Sequence, residues 1–231
     1  MAYASALDLQ MRLCEAKKRG MEPDILLLLE HPPVITLGRN GKWQNLLVPE
    51  EVLQARGISR FEIDRGGDIT FHGPGQLVGY PIMSLEPEER DVHRYMRSLE
   101  ESVIRTLGTY GIQACRDPKY TGVWAAGGKI AAMGIHLSRW VTRHGFALNV
   151  DTDLSFYELI VPCGIAGKTV TSMAKILACP TPIEEVARRI GVDFAAVFNR
   201  RLDWRTSEEL RLELTQRLRH QPPLLMQADA R

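Results

Sequence analysis

The sequence predicts an α+β fold in which a mixed or antiparallel sheet is flanked by helices. Short branched or aromatic runs bounded by Gly or Pro dominate the middle of the chain, and one long amphipathic stripe interrupts them. No regular strand-helix-strand rhythm links these segments, which sets the chain apart from parallel α/β folds. Residues 3–18 favour helix, and Gly20 supplies a stop. Residues 24–30, Asp-Ile-Leu-Leu-Leu-Leu-Glu, read as a buried strand that His31-Pro32-Pro33 must break. Residues 34–37, 61–64, 69–72 and 77–83 follow as sheet strands. Asp91 precedes Val92, Tyr95, Met96, Leu99 and Val103, whose i, i+3, i+4, i+7, i+11 spacing predicts an amphipathic helix ending near Gly108. Residues 123–126, 129–137 and 145–150 return to strand character.

Beyond these the texture changes. Thr181-Pro182-Ile183-Glu184 matches a capping box with proline at the first helical position, and Gly191 is expected to close that helix. Phe194, Val197, Phe198 and Leu202 form a further apolar stripe, and Thr206 with Glu209 suggests a second capping box. The organisation predicted is one domain over residues 1–231 with a helical appendage at about 181–220, its last residues, 221–231, fraying.

The chain has 231 residues, with 29 basic against 28 acidic side chains and a pI near 7.7. A chain of this size buries roughly 70–75% of the surface its unfolded form exposes, so it needs no staples. Near-balanced charge gives no field to attract nucleic acid. Cysteines 14, 115, 163 and 179 form no CxxC pair and read as free thiols of a reducing compartment. The longest apolar run, residues 25–29, is far short of the ~20 residues that span a bilayer. No membrane association is expected, and the location predicted is the cytoplasm.

The segment from Arg65 to Pro81, RGGDITFHGPGQLVGYP, places five glycines and two prolines around one arginine and one histidine. Such a segment either cradles a ligand against its backbone or makes tight turns between strands. His72 within it either orients a substrate or is a satisfied structural histidine. Cys163, in Val161-Pro-Cys-Gly-Ile-Ala-Gly-Lys168, is flanked by Pro162, Gly164 and Gly167, so it is either an accessible thiol or a buried structural one. Cys14, Cys115 and Cys179 lack such surroundings and read as buried structural cysteines. Lys129 interrupts a strand of small and apolar residues, where it either pairs with an anion such as a thiolate or points from a strand edge into water. Gly167-Lys168-Thr169 imitates the end of a phosphate-binding loop, but Pro162 stands where that motif needs glycine. The six histidines show no metal-ligand spacing, and neither HExxH nor G-x-S-x-G is present.

Three blocks in order, RGGDITFHGPGQLVGYP, GGKIAAMGIHLSRWVTRHGFALNV and VPCGIAGKTVTSM, closely resemble the octanoyltransferases of lipoate biosynthesis. The segment Glu30-His-Pro-Pro-Val-Ile-Thr-Leu-Gly38 fits the same family, so the likeness covers roughly residues 20–175. The resemblance implies the fold of biotin and lipoate protein ligases, and transfer of an octanoyl group through a cysteine thioester. The donor would be octanoyl-acyl carrier protein. The acceptors would be lysines on lipoyl domains of 2-oxoacid dehydrogenases and on the glycine cleavage H protein. It also implies no metal or cofactor, and a monomer is expected. By the same resemblance Cys163 is the nucleophile, Lys129 its partner, and Arg65, Gly66, Gly67, Asp68, Ile69, Thr70, Phe71, His72, Ala132, Met133, Gly134, Gly145, Phe146 and Ala147 contact substrate. The glycine-rich stretches around residues 66 and 73 or 127 and 134 are candidates for donating backbone N–H groups to an oxyanion. Two other readings compete: an ATP-dependent lipoate or biotin protein ligase, which needs no nucleophilic thiol, and a silent module that binds carrier protein.

Overall fold

The computed structural model describes residues 1–20, 23–161, 169–206 and 208–210. Cys163 and most of the Gly167-Lys168-Thr169 stretch fall outside these residues, as does the 221–231 tail expected to fray. Contacts divide the chain into a large unit, Met1–Arg200, and a small one, Arg201–Arg231.

The elements of the large unit, in chain order, are α1 (Tyr3–Lys18), β1 (Ile25–Leu29), β2 (Val34–Leu37), α2 (Glu50–Ala55), β3 (Ser59–Glu62), β4 (Ile69–His72), β5 (Gln76–Ile82), α3 (Val92–Thr109), β6 (Ala114–Arg116), β7 (Val123–Ala125), β8 (Gly128–Ser138), β9 (Val141–Asn149), α4 (Met173–Leu177) and α5 (Ile183–Val197). Six strands form an antiparallel sheet in the order β1-β5-β9-β8-β7-β6, and three form a second sheet in the order β3-β2-β4. The second sheet is mixed, because β2 runs parallel to β3 and antiparallel to β4.

Alternation along the strands sorts the two faces of the large sheet. Ala131 and Ile135 of β8 and Phe146 and Leu148 of β9 enter one core with Leu99, Val103 and Leu107 of α3 and Val186, Ile190 and Phe194 of α5. The opposite face meets α1, where the Gln10 side chain accepts the His144 N–H and the Cys14 thiol donates to the Thr142 carbonyl. A second core gathers Ile35, Leu37, Leu53, Ile58, Ile69, Phe71, Tyr157, Leu159 and Ile160 around the three-stranded sheet.

Several expectations are corrected. β1 stands at the edge of its sheet beside β5 and is half-buried, not buried as expected. No Thr181 capping box forms: Pro182 is itself the N-cap, and Glu184 and Glu185 complement the helix dipole instead. Gly191 does not stop this helix. Val186, Ile190 and Phe194 repeat every four residues and are all buried, which outweighs the ~1 kcal/mol that a mid-helix glycine costs. The helix predicted as part of an appendage thus belongs to the main core. Cys14 is buried, whereas Cys115 and Cys179 are exposed. In the small unit, Thr206 and Glu209 do form the reciprocal capping box, and residues 208–210 begin a helical turn.

Candidate active site

The candidate site lies on the face of β8 and β9 turned away from α3 and α5. Ala132 pairs with Ala147 and Gly134 with Gly145, so four of the smallest residues stand side by side between bulkier strands. Their immediate neighbours Met133 and Phe146 alternate to the other face and pack into the main core. Above the two glycines protein backbone comes close, with Gly66 O over Gly134 and Gly79 O over Gly145, so the alanine pair is the part of this floor left uncovered by those contacts.

Lys129 reaches this same face through an irregularity. Val123 pairs with Ala131 and Trp124 with Lys129, so Ile130 is an extra residue on β8. Ile130 and Ala131 both enter the main core, as expected when a β-bulge puts two residues against one. The bulge flips the parity of the strand and turns Lys129 toward the side of Ala132 and Gly134. Its ammonium lies 5.1 Å from the centre of the Trp124 ring. On its other side, Lys129 N–H donates to Thr169 O at 2.9 Å and Thr171 N–H donates to Lys129 O at 3.0 Å, a parallel bridge centred on Val170. Lys129 is therefore half-buried between two neighbours and is not an edge lysine pointing into water.

The glycine-rich loop crosses the other end of the small-residue floor. Gly66 N–H donates to Ile135 O at 2.8 Å, so this amide is engaged with β8 and is not a free oxyanion donor. A Cβ on Gly134 would sit 2.8 Å from Gly66 O and 3.0 Å from Arg65 Cδ, closer than real side chains allow. Glycine at 134 is what lets the loop lie on the strand. Arg65 is buried and donates through Nη2 to the Thr36 carbonyl and hydroxyl at 2.8 and 2.9 Å. Asp68 accepts from Asn45 Nδ2 at 2.6 Å and from Ile69 N at 2.7 Å. Ile69 and Phe71 point into the second core, while Thr70 pairs with Thr36.

His72 is engaged on both ring nitrogens, with Gln76 Oε1 at 2.7 Å and Thr36 Oγ1 at 3.5 Å. Burial, with the nearby His31, pushes its pKa down to about 3, so the ring is neutral. Gln76 donates on to Asn149 Oδ1 at 2.9 Å, and Asn149 Nδ2 donates to Thr171 O at 3.0 Å. A buried polar chain thus runs from Arg65 through Thr36, His72, Gln76 and Asn149 to Thr171, whose amide holds Lys129. His31 and His144 are also buried beside it, with Tyr3 and Tyr80 between the rings.

Cys163 lies outside the described residues, but both flanks of its segment are fixed. Val161 N–H donates to Asn45 O at 2.7 Å, and Asn45 in turn holds Asp68. The chain resumes at Thr169, on the backbone of Lys129.

The sequence pattern of the lipoyl protein ligase A/B catalytic domain matches residues 2–195. The chain belongs to that family. An octanoyltransferase of Solibacter usitatus is 57% identical over 197 residues, covering 85% of this chain and 89% of the relative. One of Koribacter versatilis is 50% identical over 208 residues, covering 87% and 82%. Among solved structures, a lipoate-protein ligase A bound with ATP superposes with a TM-score of 0.69 at 20% identity, covering 91% of this chain and 89% of that one. A bipartite lipoate protein ligase from Thermoplasma acidophilum superposes with a TM-score of 0.68, also at 20% identity, covering 91% and 87%. The lipoate ligase fold expected from the sequence is therefore the fold of this chain.

Sequence reasoning assigned no role to Trp124, Asn149 or Thr171. Each acts across sheet pairings that link residues distant in the chain, so no local pattern marks them. Asn149 and Thr171 lay inside the blocks that carry the family resemblance, as Gln76 did, and that is the signal that could have found them.

Proposed function

We propose that this acyltransferase, which moves an octanoyl group in protein lipoylation, works through a thioester on Cys163 with Lys129 as its partner. The acyl chain lies over Ala132 and Ala147, because Gly66 O already covers Gly134 and Gly79 O covers Gly145. Donor and acceptor are octanoyl-acyl carrier protein and a lysine on a lipoyl domain or H protein. The observation that carries this reading is the bulge that brings Lys129 onto the floor, beside the chain end that leads back to Cys163. Cys163 stands six positions before Thr169, which caps their separation at about 22 Å and ties the thiol to the neighbourhood of Lys129.

A free thiol with pKa near 8.5 is only a few per cent thiolate at neutral pH, and an adjacent ammonium enriches the anion. The Cys163 thiolate attacks the donor thioester carbonyl. The new C–S bond forms as the old one breaks, and the donor leaves as a thiol with the proton that Lys129 gives up, which leaves the lysine a neutral amine. One thioester replaces another, so this exchange is nearly balanced. The acceptor amine then attacks the acyl-enzyme, its proton passes to Lys129, and Cys163 leaves as the thiolate. Formation of the amide draws the sequence forward. Lys129 acts as general base only here, once acylation has removed the thiolate that held its charge.

The buried chain from Arg65 to Thr171 positions both walls of the site, and His72 serves in it as a neutral hydrogen-bonding link. A ligase reading shares the fold but leaves the PCG cysteine unexplained, and the similar relatives named as octanoyltransferases favour transfer. Single-turnover assays with octanoyl-acyl carrier protein and a lipoyl domain, without ATP, test the scheme. Lys129→Met is expected to slow transfer at least 100-fold, in the range of lost acid-base catalysis. Turnover by this variant at the wild-type rate, or an ATP requirement, would overturn it.

A further inference from the structure

Next to Lys129 stands a set of contacts that the acyl-transfer chemistry itself does not use. Trp124 is 7% exposed and lies directly across from Lys129 in the β7–β8 ladder. Val123 and Ala125 on either side of it enter the main core, so the indole faces the opposite way, onto the small-residue face. The Lys129 ammonium is 5.1 Å from the ring centre, inside the ~6 Å range at which an aromatic face attracts a cation. The indole N–H donates to Tyr120 O at 3.4 Å, and the Tyr120 ring flanks it at 6.4 Å.

Beneath the lysine runs Gly122. Its φ is +131°, and a Cβ there would lie 3.2 Å from Lys129 Cε, 3.4 Å from Cδ and 2.7 Å from Ala131 O. The lysine stem therefore rests on bare backbone. Gly122 N–H donates to Glu100 Oε1 at 2.9 Å, and Glu100 is fully buried on α3. Its other oxygen is held by Arg97 at 2.7 Å and Arg116 at 3.2 Å. A carboxylate on α3 thus fixes the turn, the turn supports the stem, and the ring meets the charged end.

We propose that Trp124, braced by the Glu100–Gly122 clasp, is a positioning residue that holds Lys129 as an ammonium aimed at the acyl face. The inference rests on Lys129 being the partner of Cys163. A ring face of this kind favours the charged form by roughly 2- to 30-fold. The ammonium aids the first step, where it stabilises the thiolate, and opposes the second, where the amine must accept a proton. Loss of the ring therefore acts on the two steps in opposite senses, which a purely structural role would not do.

The test measures acyl-enzyme formation and transfer to a lipoyl domain separately, by rapid quench, across pH. Trp124→Leu is expected to slow acyl-enzyme formation about tenfold and to move its high-pH limb down by about half to one pH unit. Transfer from the acyl-enzyme should be unchanged or faster. Trp124→Phe, which keeps a ring face, should restore most of the first step. Wild-type protein carrying increasingly fluorinated tryptophan keeps the indole shape while weakening its face. It should show a graded shift of the same limb that is absent in a Trp124→Phe background, and it remains informative where Trp124→Leu does not fold. Equal slowing of both steps with an unmoved limb, or no graded response to fluorination, overturns the inference. Lys129→Met separates the two claims: wild-type rates in that variant would remove the parent reading, whereas a dead Lys129→Met beside an unresponsive Trp124 would remove this inference alone.

Discussion

Ala132 and Ala147 face each other on adjacent strands, and neither carries more than one carbon into the space above the sheet. An eight-carbon chain that lies there gains about 0.8 kcal/mol, or roughly fourfold, for each methylene it buries. Ala147→Leu adds three carbons to the floor and should lower kcat/KM for an octanoyl donor by about 60-fold, one factor of four per displaced methylene. A butanoyl donor should lose much less, so comparing the two donors in one assay separates lost acyl space from lost fold. Equal losses for both donors would remove these alanines from the acyl site. Residue identity alone revealed part of this arrangement. The Gly, Ala and Lys of the middle block were visible in the sequence, but the cross-strand pairs that make them a floor were not.

Within the sheet, β8 carries two devices, the bulge near its start that aims Lys129, and Gly134 at mid-strand where the Arg65–Gly67 loop crosses. Gly134→Ala would force backbone at Gly66 to shift and should cost about 1–3 kcal/mol in urea unfolding, as overpacked sites do. Activity should fall with it, because the same shift displaces Arg65. An unchanged unfolding midpoint would mean that the loop does not rest on the strand. The elements best foreseen were those with long local periodicity. Residues 3–18 fold as the predicted helix, and Asp91 caps α3, accepting from the His93 and Arg94 amides. The start of β9 was missed for a physical reason. Arg139 and Trp140 make the β8–β9 turn with φ of 51° and 61°, a left-handed pair that usually calls for Asn or Gly. Without those residues no turn signal precedes Val141. Glycine misled in the opposite sense at position 191, where burial along α5 overrides its helix-breaking tendency.

At the scale of the molecule, His31 and His72 are buried and neutral beside one polar chain, and His144, also buried, meets the Asp64 carboxylate at 3.0 Å. Burial pushes His31 down to about 4 and His72 and His144 down to about 3. In the unfolded chain each would titrate near 6.5. Between pH 6.5 and the depressed folded values the unfolded state binds more protons than the native one, so stability falls as pH falls through that window. His31 and His72 each contribute a slope of up to about 1.4 kcal/mol per pH unit there, and none above pH 7. Chemical unfolding at pH 7 and pH 5 should show a marked loss of stability at the lower pH, and His31→Gln should flatten the dependence. A pH-independent midpoint would contradict the buried, neutral assignment. None of this was legible in a sequence whose histidines are scattered, because the fold alone brings His31, His72 and His144 together.

The central claim is that the acyl group passes through Cys163. Intact mass spectrometry of the protein after incubation with octanoyl-acyl carrier protein tests it most directly, alongside variants in which Cys163, Cys14, Cys115 and Cys179 are replaced by alanine one at a time. One octanoyl adduct on the wild-type protein, retained when Cys14, Cys115 or Cys179 is replaced and lost only in Cys163→Ala, is the expected result. An adduct that survives Cys163→Ala, or transfer to a lipoyl domain without any acyl-enzyme, would contradict the account.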